Sequence, residues 1–375
     1  MKTLANLMDS HPASKTSILI PKGPELTYRE YAESVEKTSD LLTGYGVQKG
    51  RAISIVLGNG LDFMITFLAA TRSGAIAAPL NPAYTADEFE FFMSDAEAQL
   101  VIVGENSEAA VKAATKLGIP VIKVLVNSKG KLELFYKGVQ ITKSIGSDLP
   151  SENDVALFLH TSGTTSRPKG VPLTHKNLMT SLSNITASYN LTPDDRAMVV
   201  MPLFHVHGLI GVSLSTLLSG GSLVIPSRFS ASTFWDDQAY SQSTWYSAVP
   251  TIHQILLMRA DDDNAPQKSF RFIRSCSAAL APSVFSDLEN RFGAPVLEAY
   301  GMTEASHQMS SNLLPPGERN PGTVGTGTGV EISIMNESGD LLGYEQTGEV
   351  VILSLIHISE PTRRTPISYA VFCLK

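Results

Sequence analysis

The sequence predicts an α/β protein with a largely parallel sheet, followed by a smaller antiparallel β region. Three observations carry that expectation. Between residues 52 and 126 short β-branched runs alternate with stretches of helical period, the alternation resumes near residue 196, and past Gly322 it gives way to short runs divided by glycine. With 375 residues, 43% apolar and 17% charged, the chain has the composition of a globular protein and ample material for a core.

In order, "AISIVL" reads as a strand, and "LDFMITFLAATRSG" follows with helical period and a closing glycine. "AIAAPLN" is apolar again, and "TADEFEFFMSDA" opens a helix on Thr85, an N-cap with Glu88 at capping-box distance. "QLVIVG", the alanine-rich "SEAAVKAATKLG" and "PVIKVLV" complete the first set. After an intervening loop, "RAMVVMPL", "GSLVIP", "STWYSAVP" and "RFIRSCS" continue it. From 322 to 352 short runs are split by glycine and by the turn signal Glu337-Ser338-Gly339-Asp340, which reads as antiparallel β, the start of a small barrel or sandwich. A chain of this length can make two domains or one large one. The stretch 353–375 has two prolines and no period; it resembles translated sequencing-adapter read-through and is set aside as non-native, with a genuine irregular tail as the alternative.

A net charge of −7 leaves no basic excess for binding nucleic acid. The acidic run Asp261-Asp262-Asp263 reads as a solvated loop. Two cysteines, Cys276 and Cys373, make neither a disulfide framework nor a metal-ligand spacing, which fits a reducing compartment. The first residues lack an apolar signal segment, and the longest apolar helical stretch, 61–70, is too short to span a bilayer. A cytoplasmic protein is expected, or a peroxisomal one if the native C-terminus carries a targeting signal.

The chemistry concentrates in "TSGTTSRPKG", residues 161–170, directly after the strand-like "VALFLH". Gly163 lets the backbone approach a ligand closely, and Thr161, Ser162, Thr164, Thr165 and Ser166 offer hydroxyls and N–H groups to phosphate oxygens. Lys169 adds a positive charge on a turn stiffened by Pro168. The spacing of Gly163 and Lys169 does not fit the P-loop of NTPases. Taken alone, the segment could also be an ordinary Ser/Thr-rich turn.

Two more segments remove that ambiguity. "TSGTTSRPKG", "MPLFHVHG" (201–208) and "YGMTE" (300–304) resemble, in order and spacing, the motifs of the adenylate-forming superfamily, over residues 1–352. Ser166 stands where that family usually has glycine. Within it, "AAPLNPAYTADEFEFFMSDA", "FLHTSGTTSRPKGVPLT", "MPLFHVHGL", "TWYSAVPTIHQI" and "FIRSCSAALAP" look most like the oxalate–CoA ligases of plants and fungi, which share the serine.

The resemblance implies a large N-terminal α/β domain and a two-step reaction. A carboxylate attacks the α-phosphate of ATP to give an acyl-adenylate and pyrophosphate, and the thiol of coenzyme A then displaces AMP. It implies Thr161 to Thr165 and Lys169 around the β- and γ-phosphates, Thr303 on the α-phosphate and Glu304 on Mg²⁺, a hard cation suited to a carboxylate. It implies Ala278, Ala279, Glu298, Ala299 and Tyr300 beside adenine, and His205 beside the acyl carboxylate. In extended chain His207 would share a face with His205, at a position that tends to be aromatic in relatives taking aromatic acids. His207, Ser277 and His307 would make the acyl pocket polar, as a second carboxylate requires; Arg274 could add a clamp of unknown direction.

The family's ribose-binding T-G-D, its hinge and its late lysine do not occur before residue 353, and Thr347-Gly348-Glu349 is not the T-G-D. A C-terminally truncated chain of low turnover is therefore expected. Two other readings stay open: a ligase for another small carboxylic acid, and a non-catalytic nucleotide-binding module.

Overall fold

The computed structural model describes residues 3–127, 130–161, 168–260, 270–343 and 345–353. Two large sheets dominate, one of eight strands and one of nine.

The expected alternation is realised element for element. In the eight-stranded sheet the parallel strands Val155–Thr161, Ile76–Pro79, Ala52–Val56, Leu100–Val103 and Val121–Val126 lie side by side in that order. Helices Leu61–Arg72, Ala86–Asp95 and Glu108–Lys116 connect them. Ala52–Val56 is buried at every position, as a strand covered on both faces must be. Thr85 caps its helix as expected, its side chain accepting from the Glu88 N–H while Glu88 reaches back to the Thr85 N–H.

Both ends of this sheet are antiparallel. At one end Leu132–Tyr136 and Val139–Gln140 form a hairpin whose turn residues Lys137 and Gly138 have φ of 49° and 80°. Those are the angles a two-residue hairpin turn needs. At the other end Lys169–Thr174 pairs with Val155–Thr161.

The nine-stranded sheet holds the later elements. Its parallel part runs Val296–Met302, Phe272–Ser275, Trp245–Ala248, Arg196–Met198, Ser222–Val224, Thr16–Leu19. His307–Ser311 folds back antiparallel on Val296–Met302. Past Gly322 the chain is antiparallel as expected: Thr326–Gly327 joins the edge of this sheet, and Glu331–Met335 pairs with Glu349–Leu353 in a sheet of two strands. The turn at 337–340 forms, with Gly339 at φ 90°. Residues 354–375, the acidic run 261–263 and Cys373 lie outside the described residues.

Most of the core is a single cluster that reaches both sheets, from Ile53 and Phe67 to Leu203, Trp245 and Phe272. Within it the Phe272 ring stacks on those of Tyr189 and Trp245, at 5.2 and 4.9 Å. Among the described residues no helix is long and apolar enough to cross a membrane.

Candidate active site

In open α/β sheets the crevice outside the carboxyl ends of parallel strands is where ligands bind, above all where the chain reverses its order across the sheet. Here Arg196–Met198 lies between Ser222–Val224 on one side and Trp245–Ala248 on the other, both parallel to it. That is such a reversal. Three segments singled out in the sequence leave the carboxyl ends of neighbouring strands: 201–208 after Met198, 277–279 after Ser275, and 303–307 after Met302. The fourth, the phosphate loop, bridges Thr161 and Lys169, which face each other across the antiparallel pair. Ser162, Gly163, Thr164, Thr165 and Ser166 lie outside the described residues. The Lys169–Thr174 strand contacts the short turn Thr303–Ala305, so the loop's root lies beside the "YGMTE" segment.

His205 and His207 do not share a face. His205 is extended (φ −122°, ψ 146°), but Val206–Gly208 forms a helical turn. The turn leaves His205 exposed at the mouth and buries His207 completely. Protein around His205 nevertheless lowers its pKa by desolvation. Extended geometry was the wrong local assumption: after His205 the chain enters a π-helical segment, Leu209–Leu214, and the winding starts at Val206.

His207, Ser277 and His307 are brought together. His207 Nδ1 lies 3.0 Å from Ser277 Oγ, and the His207 and His307 rings stack at 5.5 Å. Arg274, whose direction the sequence left open, turns into this cluster with no exposure at all. Its Nη2 contacts His307 Nε2 at 2.9 Å and donates to Gln308 Oε1 at 3.0 Å. Its Nη1 donates to Ser247 Oγ at 3.0 Å and its Nε to the Tyr189 hydroxyl at 2.8 Å. Ser247 Oγ in turn lies 2.7 Å from His207 Nε2. Among the described residues no carboxylate pairs with Arg274.

Burial, and then the Arg274 charge, hold both His207 and His307 far below the ordinary imidazole pKa. Both are neutral. Two of the pocket residues also adopt unusual backbone angles, with φ of 72° at Ser277 and 94° at His307. Non-glycine residues rarely sit there, and such outliers cluster at functional sites.

Ser247, Tyr189 and Gln308 were missed in the sequence. A signal existed for the cluster: Phe272–Ser275 and Trp245–Ala248 are buried at every position, and arginine almost never enters such a strand without partners. Partners for Arg274 could therefore have been sought.

Among the residues expected beside the nucleotide the side chains divide. Ala278 and Ala279 are exposed and Tyr300 is half-buried, which leaves apolar surface for a flat ring. Glu298 and Ala299 are buried within their strand; the Glu298 carboxylate accepts from the Gly322 N–H at 2.7 Å, and burial raises its pKa. The Glu298 side chain therefore holds the neighbouring loop, and neither side chain offers an exposed ligand surface. Thr303 is half-buried and Glu304 exposed on the turn, and the charge of Glu304 adds to the burial that raises the Tyr300 pKa.

Among the described residues no three His, Cys, Asp or Glu side chains gather in a way that could hold a metal ion. Glu304, exposed on its turn, presents the kind of hard oxygen donor that Mg²⁺ takes.

The family model described as AMP-binding enzyme matches residues 7–355. The chain belongs to the AMP-binding enzyme family. An oxalate–CoA ligase of Arabidopsis thaliana is 47% identical over 335 residues, which is 87% of this chain and 65% of that protein. An oxalate–CoA ligase of Saccharomyces cerevisiae is 40% identical over 371 residues, 91% of this chain and 68% of that protein. The chain thus spans about two thirds of the length of these relatives. Among solved structures, ATP-bound MatB from Rhodopseudomonas palustris superposes on this AMP-binding enzyme with a TM-score of 0.82 at 28% identity, covering 94% of this chain and 69% of that one. The α/β fold expected from the sequence is therefore that of the family.

Proposed function

We propose that this AMP-binding enzyme is an acid–thiol ligase that activates oxalate. One oxalate oxygen attacks the α-phosphate of ATP and pyrophosphate leaves; the sulfur of coenzyme A then attacks the acyl carbon and AMP leaves. Chemistry of this kind depends on positioning and charge neutralisation. Lys169 and the 161–165 loop would hold the outer phosphates, Thr303 the α-phosphate, and Glu304 the Mg²⁺ that offsets charge building on the phosphates. His205, at the open mouth, would orient the attacking carboxylate. Ala278, Ala279 and Tyr300 would take adenine.

The observation that carries the substrate is the wholly buried Arg274, without a carboxylate partner among the described residues, behind His207, Ser277 and His307. Burying a charge is costly unless it is paired. A second carboxylate on the substrate would supply the missing anion through the polar wall, whereas a fatty or aromatic acid would meet that wall with no partner to give. The two oxalate–CoA ligases among the relatives point the same way. A compartment that supplies ATP and reduced coenzyme A, such as the cytoplasm or the peroxisome, fits this reading.

Pyrophosphate release with oxalate, malonate, acetate, hexanoate and coumarate tests it, measured on the protein extended to the length of the oxalate–CoA ligases it resembles. Oxalate should give the highest kcat/KM. Ser277→Ala and His307→Ala should each lower that value about tenfold or more, the worth of one charge-assisted hydrogen bond. Preference for hexanoate or coumarate would overturn the dicarboxylate reading and leave family membership intact; preference for malonate would move the substrate within the dicarboxylates.

A further inference from the structure

We propose that Arg274 is a positioning residue that wires the acyl pocket as a donor-only wall, fixing the proton positions of His207 and His307 so that Ser277 O–H and His307 Nδ1–H are both left to face a substrate oxygen. The proposal deepens the oxalate reading and rests on it for its kinetic arm, but the wiring itself is a property of the ligand-free protein.

The reasoning starts from what a guanidinium can do. Arginine has five N–H donors, no acceptor, and never loses its proton. Every atom that touches it must therefore accept. His307 Nε2, 2.9 Å from Arg274 Nη2, must be the bare nitrogen, so the ring proton of neutral His307 sits on Nδ1. No described residue takes a hydrogen bond from that Nδ1, although the ring is only 2% exposed.

The second branch runs through Ser247, which is fully buried. Its oxygen accepts from Arg274 Nη1 at 3.0 Å, and its only other side-chain partner among the described residues is His207 Nε2 at 2.7 Å. If His207 donated as well, the serine proton would be buried without an acceptor, which is the costly arrangement. Ser247 therefore donates to His207 Nε2. That puts the His207 proton on Nδ1, from where it is donated to Ser277 Oγ at 3.0 Å. Ser277 in turn keeps its own hydroxyl proton, with no described acceptor, on an exposed residue at the carboxyl end of the Phe272–Ser275 strand.

Both branches thus begin at one cation and end on one unused donor each. A wall of this kind takes a carboxylate oxygen and rejects a group that can only donate, such as an ammonium. Arg274 need not touch the substrate to set this preference.

The test reads ring protons directly. In ¹⁵N-histidine-labelled protein without ligand, long-range ¹H–¹⁵N spectra at pH 7 should show His207 and His307 as neutral Nδ1–H tautomers, each assigned by its own replacement with glutamine. Ser247→Ala should shift His207 toward a tautomer mixture and leave His307 unchanged. Arg274→Gln, whose amide can both donate and accept, should disturb both rings; if that variant does not fold, Ser247→Ala and the wild-type His307 spectrum still decide. Kinetically, Ser247→Ala should lower kcat/KM for oxalate about tenfold while leaving that for acetate within about twofold, a split that a purely structural role would not produce. His307 found as the Nε2–H tautomer, an unchanged His207 in Ser247→Ala, or equal losses on oxalate and acetate would each overturn the wiring. An enzyme with both tautomers as stated that does not take oxalate would instead overturn the substrate reading and keep the wiring.

Discussion

At the scale of single residues, the buried histidines set how the fold responds to acid. Burial lowers His175 and His253 to about 4, and burial together with Arg274 puts His207 and His307 well below the ordinary 6.5. The native state therefore stays neutral at these rings while the unfolded chain takes up protons below about pH 6.5. Stability present above pH 6.5 should be lost as the pH falls, and for His175 and His253 the loss should level off near pH 4, where the native rings protonate too. Thermal melts from pH 7.5 to 4 check this: Tm should decline steadily. His253→Gln should remove one titrating group and flatten the slope by roughly 1.4 kcal/mol per pH unit. A Tm independent of pH across that window would contradict it. His205, exposed at the mouth, adds less to the effect.

At the scale of elements, local signals and tertiary ones separate cleanly. Thr85 and Glu88 were legible because a capping box is written in four consecutive residues. The helix they start ends at Asp95, which pairs with His160 at 2.9 Å, next to the root of the phosphate loop. Thr85→Ala should cost about 1 kcal/mol of stability in chemical denaturation, and Thr85→Ser should restore most of it. The alternation of strands and helices was legible for the same local reason, whereas the Lys137-Gly138 turn was not, since lysine gives no signal for the positive φ it adopts there.

The helical turn at Val206–Gly208 was not legible, because it depends on what packs beneath it. Gly211, in the following π-helical segment, leaves room for only a hydrogen: a Cβ there would stand 2.3 Å from His307 Nε2. Gly211→Ala should push the ring off Arg274 and lower kcat/KM for oxalate about tenfold, with ATP affinity unchanged. Parallel assays of pyrophosphate release and ATP binding check it, and unaltered oxalate kinetics would contradict the packing. Gly301 is similarly constrained, since a Cβ would collide with the backbone carbonyl of His307; its place inside "YGMTE" was visible in the sequence, but the reason for it was not.

At the scale of the whole molecule, the proposed site draws on the carboxyl ends of strands in one sheet and on the Val155–Thr161 and Lys169–Thr174 pair of the other. Mg²⁺–ATP should therefore stabilise the protein as a unit. At a hundred times its dissociation constant a ligand adds about 2.7 kcal/mol, so melts with and without Mg²⁺–ATP should separate by several degrees, and EDTA should erase much of the difference. No shift at millimolar nucleotide would contradict the nucleotide assignment. The family motifs gave the order of these segments along the chain, while the meeting of Ser247, Arg274 and His307, 60 residues apart from first to last, could only come from the sheet order. Arg274 belongs both to the pocket and to the packed interior, held by Tyr189, Ser247 and the adjacent His307 and Gln308, from three stretches of chain. Exchanging any one of these alone would leave one donor of the buried guanidinium without its acceptor before any new substrate is gained. If the pocket takes oxalate as proposed, a change toward apolar acids has to replace the arginine and its companions together.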